Sequence, residues 1–166
     1  MNRGRVAAFE DLYERYGRGL YHYLVGQVRR VEVAEDLLQT VMLRVVRHRR
    51  DLRRLENPRA WLFRIARNEL SRQYRRAGRR GAEAGDAPLE FVAAAGHEGG
   101  EDLDALRSAL ERLSPERWEV VSLKAYQGLT FREIGEVLDV SPNTAASRYR
   151  YALSDLRRML ERVHDR

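Results

Sequence analysis

Apolar residues recur at intervals of three and four from Val6 to about Arg80, the spacing of one buried helix face. Phe9, Leu12, Tyr13, Tyr16, Leu20 and Leu24 form one such stripe, which Gly17 and Gly19 weaken locally. A second stripe contains Leu37, Leu38, Val41, Met42 and Val45. The run "LRRLENPRAW" interrupts the pattern, because Asn57 before a proline favours extended backbone and Pro58 suits a helix start. A third helix is predicted from about Arg59 to Arg76. The stretch "AGRRGAEAGDAPLEFVAAAGHEGGED" then loses all periodicity, is rich in glycine and alanine, and clusters its acids, which reads as a flexible acidic linker. Helical spacing returns at about Leu103 and continues almost to the last residue. No strand-length window alternates apolar with polar positions, so the expected fold is all-α. Two small helical domains are expected, 1–80 and 103–166, joined by a linker at 81–102.

The last third carries its helix boundaries openly. Ser114 and Pro115 supply an N-cap and a first-turn proline for a helix through "ERWEVVSLKAY" that stops near Gly128. Thr130 stands three residues before Glu133, the spacing of a capping box. The helix it opens has one short apolar face, Phe131, Ile134, Val137 and Leu138, before Ser141 and Pro142 begin another. Two capped starts about eleven residues apart with a tight turn between them describe a helix-turn-helix. In the final helix Ala145, Tyr149, Ala152, Leu156 and Met159 form the buried face. Asn143, Thr144, Ala146, Ser147, Arg148, Arg150 and Tyr151 are left at the outside or the flanks, and the N-terminal part of such a helix is where side chains meet base edges.

The third helix also has two faces. Leu62, Phe63, Ala66, Leu70 and Tyr74 fall on one side, and Arg64, Arg67, Arg72, Arg75 and Arg79 on the other, with Trp61 at the basic edge. Arginines beside an aromatic suit phosphate contacts combined with stacking on an unpaired base. Charge supports this, since 31 basic residues against 25 acidic ones give +6, a balance that favours polyanions. Lys124 is the only lysine, and arginine's planar fork matches phosphate and guanine better than an ammonium does.

The remaining chemistry is sparse. There is no cysteine, which excludes disulfides and thiolate chemistry and fits a reducing compartment. No metal-ligand spacing, phosphate-binding glycine loop or nucleophile–base pair stands out, and His22, His48, His97 and His164 are scattered. No enzymatic activity and no cofactor are expected. "MNRGRVAAFEDLYERY" lacks the apolar core of a signal peptide and no run approaches a membrane span, so a cytoplasmic protein is expected.

"LSPERWEVVSLKAYQGLTFREIGEVLDVSPNTAASRYRYALSDLRRML" closely resembles region four of the sigma-70 family of transcription initiation factors, with Glu133 and Ile134 at scaffold positions and Ser147 and Arg148 matching a serine-arginine pair. Asp139 stands where the family usually has a turn glycine, and "NTA" replaces a glycine-threonine-valine. "AEDLLQTVMLRVV" with "RAWLFRIARNEL" resembles region two, in particular that of the extracytoplasmic-function (ECF) group, with Ser71 where aspartate is common. The resemblance covers about three quarters of the chain. It implies that Asp36, Leu37 and Gln39 contact core RNA polymerase at the clamp of its largest subunit, and that the second domain meets the flap of the second-largest. It assigns minus-ten recognition and melting to Trp61, Arg64, Arg67, Asn68, Arg72 and Arg75. It assigns minus-thirty-five recognition to Asn143, Thr144, Ala146, Ser147, Arg148 and Arg150. The loop from about Arg50 to Asn57 corresponds to the segment that captures a flipped minus-ten base. Many members of the group are held by an anti-sigma factor, a partner that no segment here specifies. The residues also allow a stand-alone helix-turn-helix regulator, which would bind duplex DNA but not core polymerase. A recombinase-like enzyme fits less well, because the first segment is too small and too purely helical.

Overall fold

Helix starts in the second half lie where the sequence places its caps, and the rest of the architecture follows from burying the stripes. The computed structural model describes residues 3–48, 50, 54–78 and 100–164, and helices are the regular elements throughout these residues. Helix α1 (Arg3–Leu12) passes through a π-helical turn (Tyr13–Gly17) into α2 (Arg18–Val28); α3 (Val31–Arg47) and α4 (Pro58–Gly78) complete the first half. The second half contains α5 (Glu101–Glu111), α6 (Pro115–Val121) with a π-helical continuation (Ser122–Tyr126), α7 (Phe131–Leu138) and α8 (Pro142–His164). The all-α expectation holds for the described residues. Most of the expected linker lies outside them, and α5 already begins at Glu101.

The π-helical turn changes one expectation. An extra residue in a turn rotates the following face, so the stripe starting at Phe9 does not stay on one side. Leu20 and Leu24 are fully buried, whereas Tyr13 is 49% exposed, its ring stacked on Phe9 at 6.0 Å and lying over Gly17. The α3 stripe behaves as the spacing predicts: Leu37, Leu38, Val41, Met42 and Val45 are all buried. They pack with Leu62, Phe63, Ala66 and Leu70 of α4. The carboxylate of Glu69, also buried, accepts from Arg44 (2.8 Å) and Arg72 (3.0 Å), which ties α3 to α4 without leaving an unpaired charge.

In the second half the Ser114 side chain caps α6 by accepting from the Arg117 amide. The Thr130–Glu133 capping box forms in both directions, at 3.2 and 2.7 Å, and Ser141 accepts from the Thr144 amide at 3.1 Å. Gly128 closes the preceding helix at φ +67°. Asp139 adopts the left-handed region (φ 57°, ψ 48°) that the turn needs and that a glycine would fill without strain. Gly135 is required for a different reason: a Cβ there would stand 2.6 Å from the Val140 carbonyl oxygen, so the turn can fold onto α7 only over a bare Cα. Buried Asp155 of α8 is held by Arg117 and Arg158, fixing α6 against the final helix.

The two halves pack together. The indole of Trp118, 3% exposed, sits against the bare Cα of Gly26, where no larger residue would fit. Around it, Tyr23 donates to Glu119 (2.6 Å), Gln27 to the Pro115 carbonyl (3.3 Å) and Gln127 to the Gly19 carbonyl (3.1 Å). Arg59 donates to the Gln127 carbonyl, Asn57 to Glu133, and Arg29 lies 3.5 Å from Glu111.

Candidate nucleic-acid interface

Asn57 accepts from the Ala60 amide at 3.1 Å and so caps α4, which sets the direction in which that helix leaves the interrupted segment. Along α4, Trp61, Arg64, Asn68, Arg72 and Arg75 recur at spacings of three and four and therefore share one face. Arg64, Asn68, Arg72 and Arg75 are exposed; Trp61 is half-buried, with the His48 ring edge-on to it at 6.5 Å. His48 is in turn hydrogen-bonded to the Arg44 carbonyl at 2.9 Å. The result is a row of cationic and amide groups leading to an aromatic ring whose orientation is already constrained. It can hold successive phosphates and stack an unpaired base at its end.

Arg67 departs from the expected face. It is half-buried at the flank, with its Nε 3.1 Å from Glu119 of the second half. Tyr74, expected on the apolar side, is 44% exposed and donates to the Gln27 carbonyl at 2.9 Å. Burial, with the Glu119 charge as a lesser cause, raises its pKa. Ser71 donates back to the Arg67 carbonyl at 2.9 Å, an internal helix contact. Arg79 and residues 51–53 of the loop before α4 lie outside the described residues.

On α8 the buried positions Ala145, Ala152 and Leu156 face the core, with Tyr149 and Met159 partly buried beside them. Asn143, Thr144 and Arg150 are exposed, while Ala146, Ser147 and Arg148 are half-buried. Arg150 donates to Ser147 at 3.1 Å, so these two side chains are already paired along the helix surface. Tyr151, 65% exposed, lies on the same face as Asn143 and Ser147, eight and four residues away. Sequence reasoning puts it on the outside without assigning it a contact, and the structure leaves its side chain exposed there. Asp36 and Gln39 are exposed on α3, whereas Leu37 is 7% exposed and supports that surface from the core.

A helix-turn-helix and a separate basic, aromatic-ended helix are thus present in one chain, in that order from the C-terminal side. The family model for Sigma-70 region 2 matches residues 12–80, and that for Sigma-70, region 4 matches residues 103–156. The chain is 32% identical over 162 residues to the RNA polymerase sigma factor CarQ of Myxococcus xanthus, covering 95% of this chain and 91% of that protein. The chain belongs to the sigma-70 family. The sigma factor is also 29% identical to SigZ of Bacillus subtilis (strain 168), over 92% of this chain and 86% of that one. It is 29% identical to the ECF sigma factor SigL of Mycobacterium tuberculosis (strain ATCC 25618 / H37Rv), over 95% and 92%. Its fold matches that of the sigma factor RpoE of Bartonella quintana, solved with the anti-sigma factor NepR, at a TM-score of 0.72 and 22% identity over 92% of this chain and 96% of that one. It is a sigma factor of the ECF type, which directs core RNA polymerase to promoters. A stand-alone regulator is not favoured. No helix among the described residues is long and apolar enough to cross a membrane.

Proposed function

We propose that α8 reads minus-thirty-five duplex DNA through Asn143, Thr144, Ala146, Ser147, Arg148 and Arg150, while the α4 row of Trp61, Arg64, Asn68, Arg72 and Arg75 holds the melted minus-ten strand. Arg67 joins that row once Glu119 releases it. The α3 surface with Asp36 and Gln39, supported by Leu37, docks on the polymerase clamp, and the second domain meets the flap. The domain limits in this reading are 1–80 and 103–166, with 81–102 between them. The observation that carries it is the exposed α4 row, because a line of arginines and an asparagine leading to an indole of constrained orientation fits the phosphates and bases of an unstacked strand.

The chain does no bond chemistry in this scheme. Strand opening is driven by contacts that offset an unstacking cost of about a few kcal/mol, and the polymerase supplies catalysis. The protein works in the cytoplasm, where its polymerase is. An anti-sigma factor is a regulatory partner in keeping with the NepR-bound relative. Run-off transcription with bacterial core polymerase on a genomic promoter library tests the reading: new start sites sharing two spaced elements are expected. Duplex binding by the chain with no core binding would return it to the stand-alone regulator.

A further inference from the structure

The α4 row ends at Trp61, and beside that indole stands a histidine from another helix. His48 is the C-cap of α3, with an exposed side chain. The planes of its imidazole and the indole cross at 69° with 6.5 Å between centroids, so the imidazole borders the indole without stacking on it. Its Nδ1 lies 2.9 Å from the Arg44 carbonyl oxygen. A carbonyl can only accept, so Nδ1 carries a proton and the neutral ring keeps its free lone pair on Nε2. Among the described residues the bond to Arg44 is the imidazole's only hydrogen bond. Proton uptake at Nε2 therefore leaves that bond intact and adds a cation and a donor to a ring whose orientation is already set.

The charged groups nearest in sequence and across the helix pair are mostly cationic. Arg44 and Arg47 share the last turn of α3, a helix end that favours positive groups, and exposed Arg50 follows in the chain. On α4, Arg64 lies one turn beyond Trp61. Glu69 is the acid that α4 turns toward α3, and its Oε1 is shared by Arg44 at 2.8 Å and Arg72 at 3.0 Å. That shared oxygen brings an α3 cation next to the α4 row, so a polyanion laid along α4 meets basic groups from both helices. We propose that His48 is a strand-contacting residue of the minus-ten site: with a base stacked on Trp61, its protonated Nε2 donates to the phosphate of that nucleotide. The proton comes from solvent and returns to it on release. Strand and proton then bind cooperatively, each raising the affinity of the site for the other.

The inference rests on the reading that the α4 row holds the melted strand. The test is binding of a fluorescent minus-ten single strand, taken from a run-off promoter, to the complex of this chain with bacterial core polymerase. Affinities are measured at about pH 6 and about pH 8, which bracket the charge change of an ordinary imidazole. Wild type should bind at least about threefold tighter than His48→Gln at about pH 6, and equally at about pH 8. The two complexes share the polymerase and the histidines at 22, 97 and 164, so their ratio isolates this ring. The wild-type slope of log affinity against log salt should be steeper at the lower pH, by up to about 0.7 for one added phosphate on a single strand. His48→Arg, a cation throughout, should keep the steeper slope at about pH 8. A ratio of wild type to His48→Gln that is the same at both pH values overturns the proposal. If that constant ratio is large, His48 only props the indole. Equal wild-type slopes at the two pH values also overturn it, and that measurement needs no variant. Failure of the underlying reading looks different: replacing Arg64, Arg72 and Arg75 with glutamine would then leave strand affinity unchanged at both pH values.

Discussion

Asp139 and Gly135 show how narrowly single positions determine the reading head. Asp139 takes φ 57°, a region in which its short side chain is tolerated but a β-branched one is not. Asp139→Gly should leave stability unchanged or raise it slightly, whereas Asp139→Val should cost about 1–2 kcal/mol. Urea unfolding of the full chain checks both. At Gly135 the constraint is space rather than dihedral angle. A methyl group would meet the Val140 carbonyl, which is backbone and cannot swing aside, so Gly135→Ala should cost about 1–3 kcal/mol. It should also weaken minus-thirty-five duplex binding, because opening the turn re-aims α8 against α7; a variant that unfolds at the wild-type urea concentration and binds DNA equally well would contradict this. Asp139 was readable in the sequence as a departure from a glycine, since the preference for the left-handed region belongs to the residue itself. The need at Gly135 was not, because it depends on a carbonyl five residues later whose position exists only once the turn has formed.

Among the helices, those with explicit chemical punctuation start where the sequence places them, and the uncapped α3 still buries its predicted stripe, whereas the stripe through Tyr13 breaks. Ser114–Pro115, Thr130 with Glu133, and Ser141–Pro142 each satisfy amides that no helical bond can reach, and the helices start there. The first stripe was misread at Tyr13 because a π-helical turn is invisible to a regular period. On α4 the period correctly separates the arginines from the core, yet Arg67 lies at the flank, and its partner Glu119 is 52 residues away, beyond any local pattern. This division of the helix has a measurable consequence. Replacing Arg64, Arg72 and Arg75 with glutamine should reduce the slope of log affinity against log salt by about 2, at about 0.7 per phosphate on a single strand. The measurement is binding of a minus-ten single strand from a run-off promoter to the sigma–core complex. An unchanged slope would mean the three guanidiniums touch no phosphate.

For the whole molecule, the contact between halves makes stability and closure respond to alkali. Tyr23 has its pKa raised well above that of a free tyrosine, first by complete burial and then by the Glu119 carboxylate it donates to, with Arg67 opposing in part. Tyr74 is raised by burial and then by Glu119, and burial pushes Tyr126, whose ring lies 5.8 Å from Trp118, up to about 12. These tyrosines are neutral in both folded and unfolded chains below about pH 10, so their contribution is intact there. As pH rises past about 10 the unfolded chain ionises first while the folded chain keeps its protons, so the unfolded state is favoured and stability falls until the folded groups ionise in turn. Each tyrosine in its window removes up to about 1.4 kcal/mol per pH unit. The urea midpoint should therefore hold level to about pH 9.5 and then decline. Tyr23→Phe should start from a lower midpoint, having lost the hydrogen bond to Glu119, and decline less steeply because one ionising group is gone. The distance between spin labels at Asp11→Cys and Arg157→Cys should lengthen in the same alkaline range, since Tyr23 sits at the contact between halves. Lengthening that coincides with loss of helicity would show that the halves separate only when they unfold.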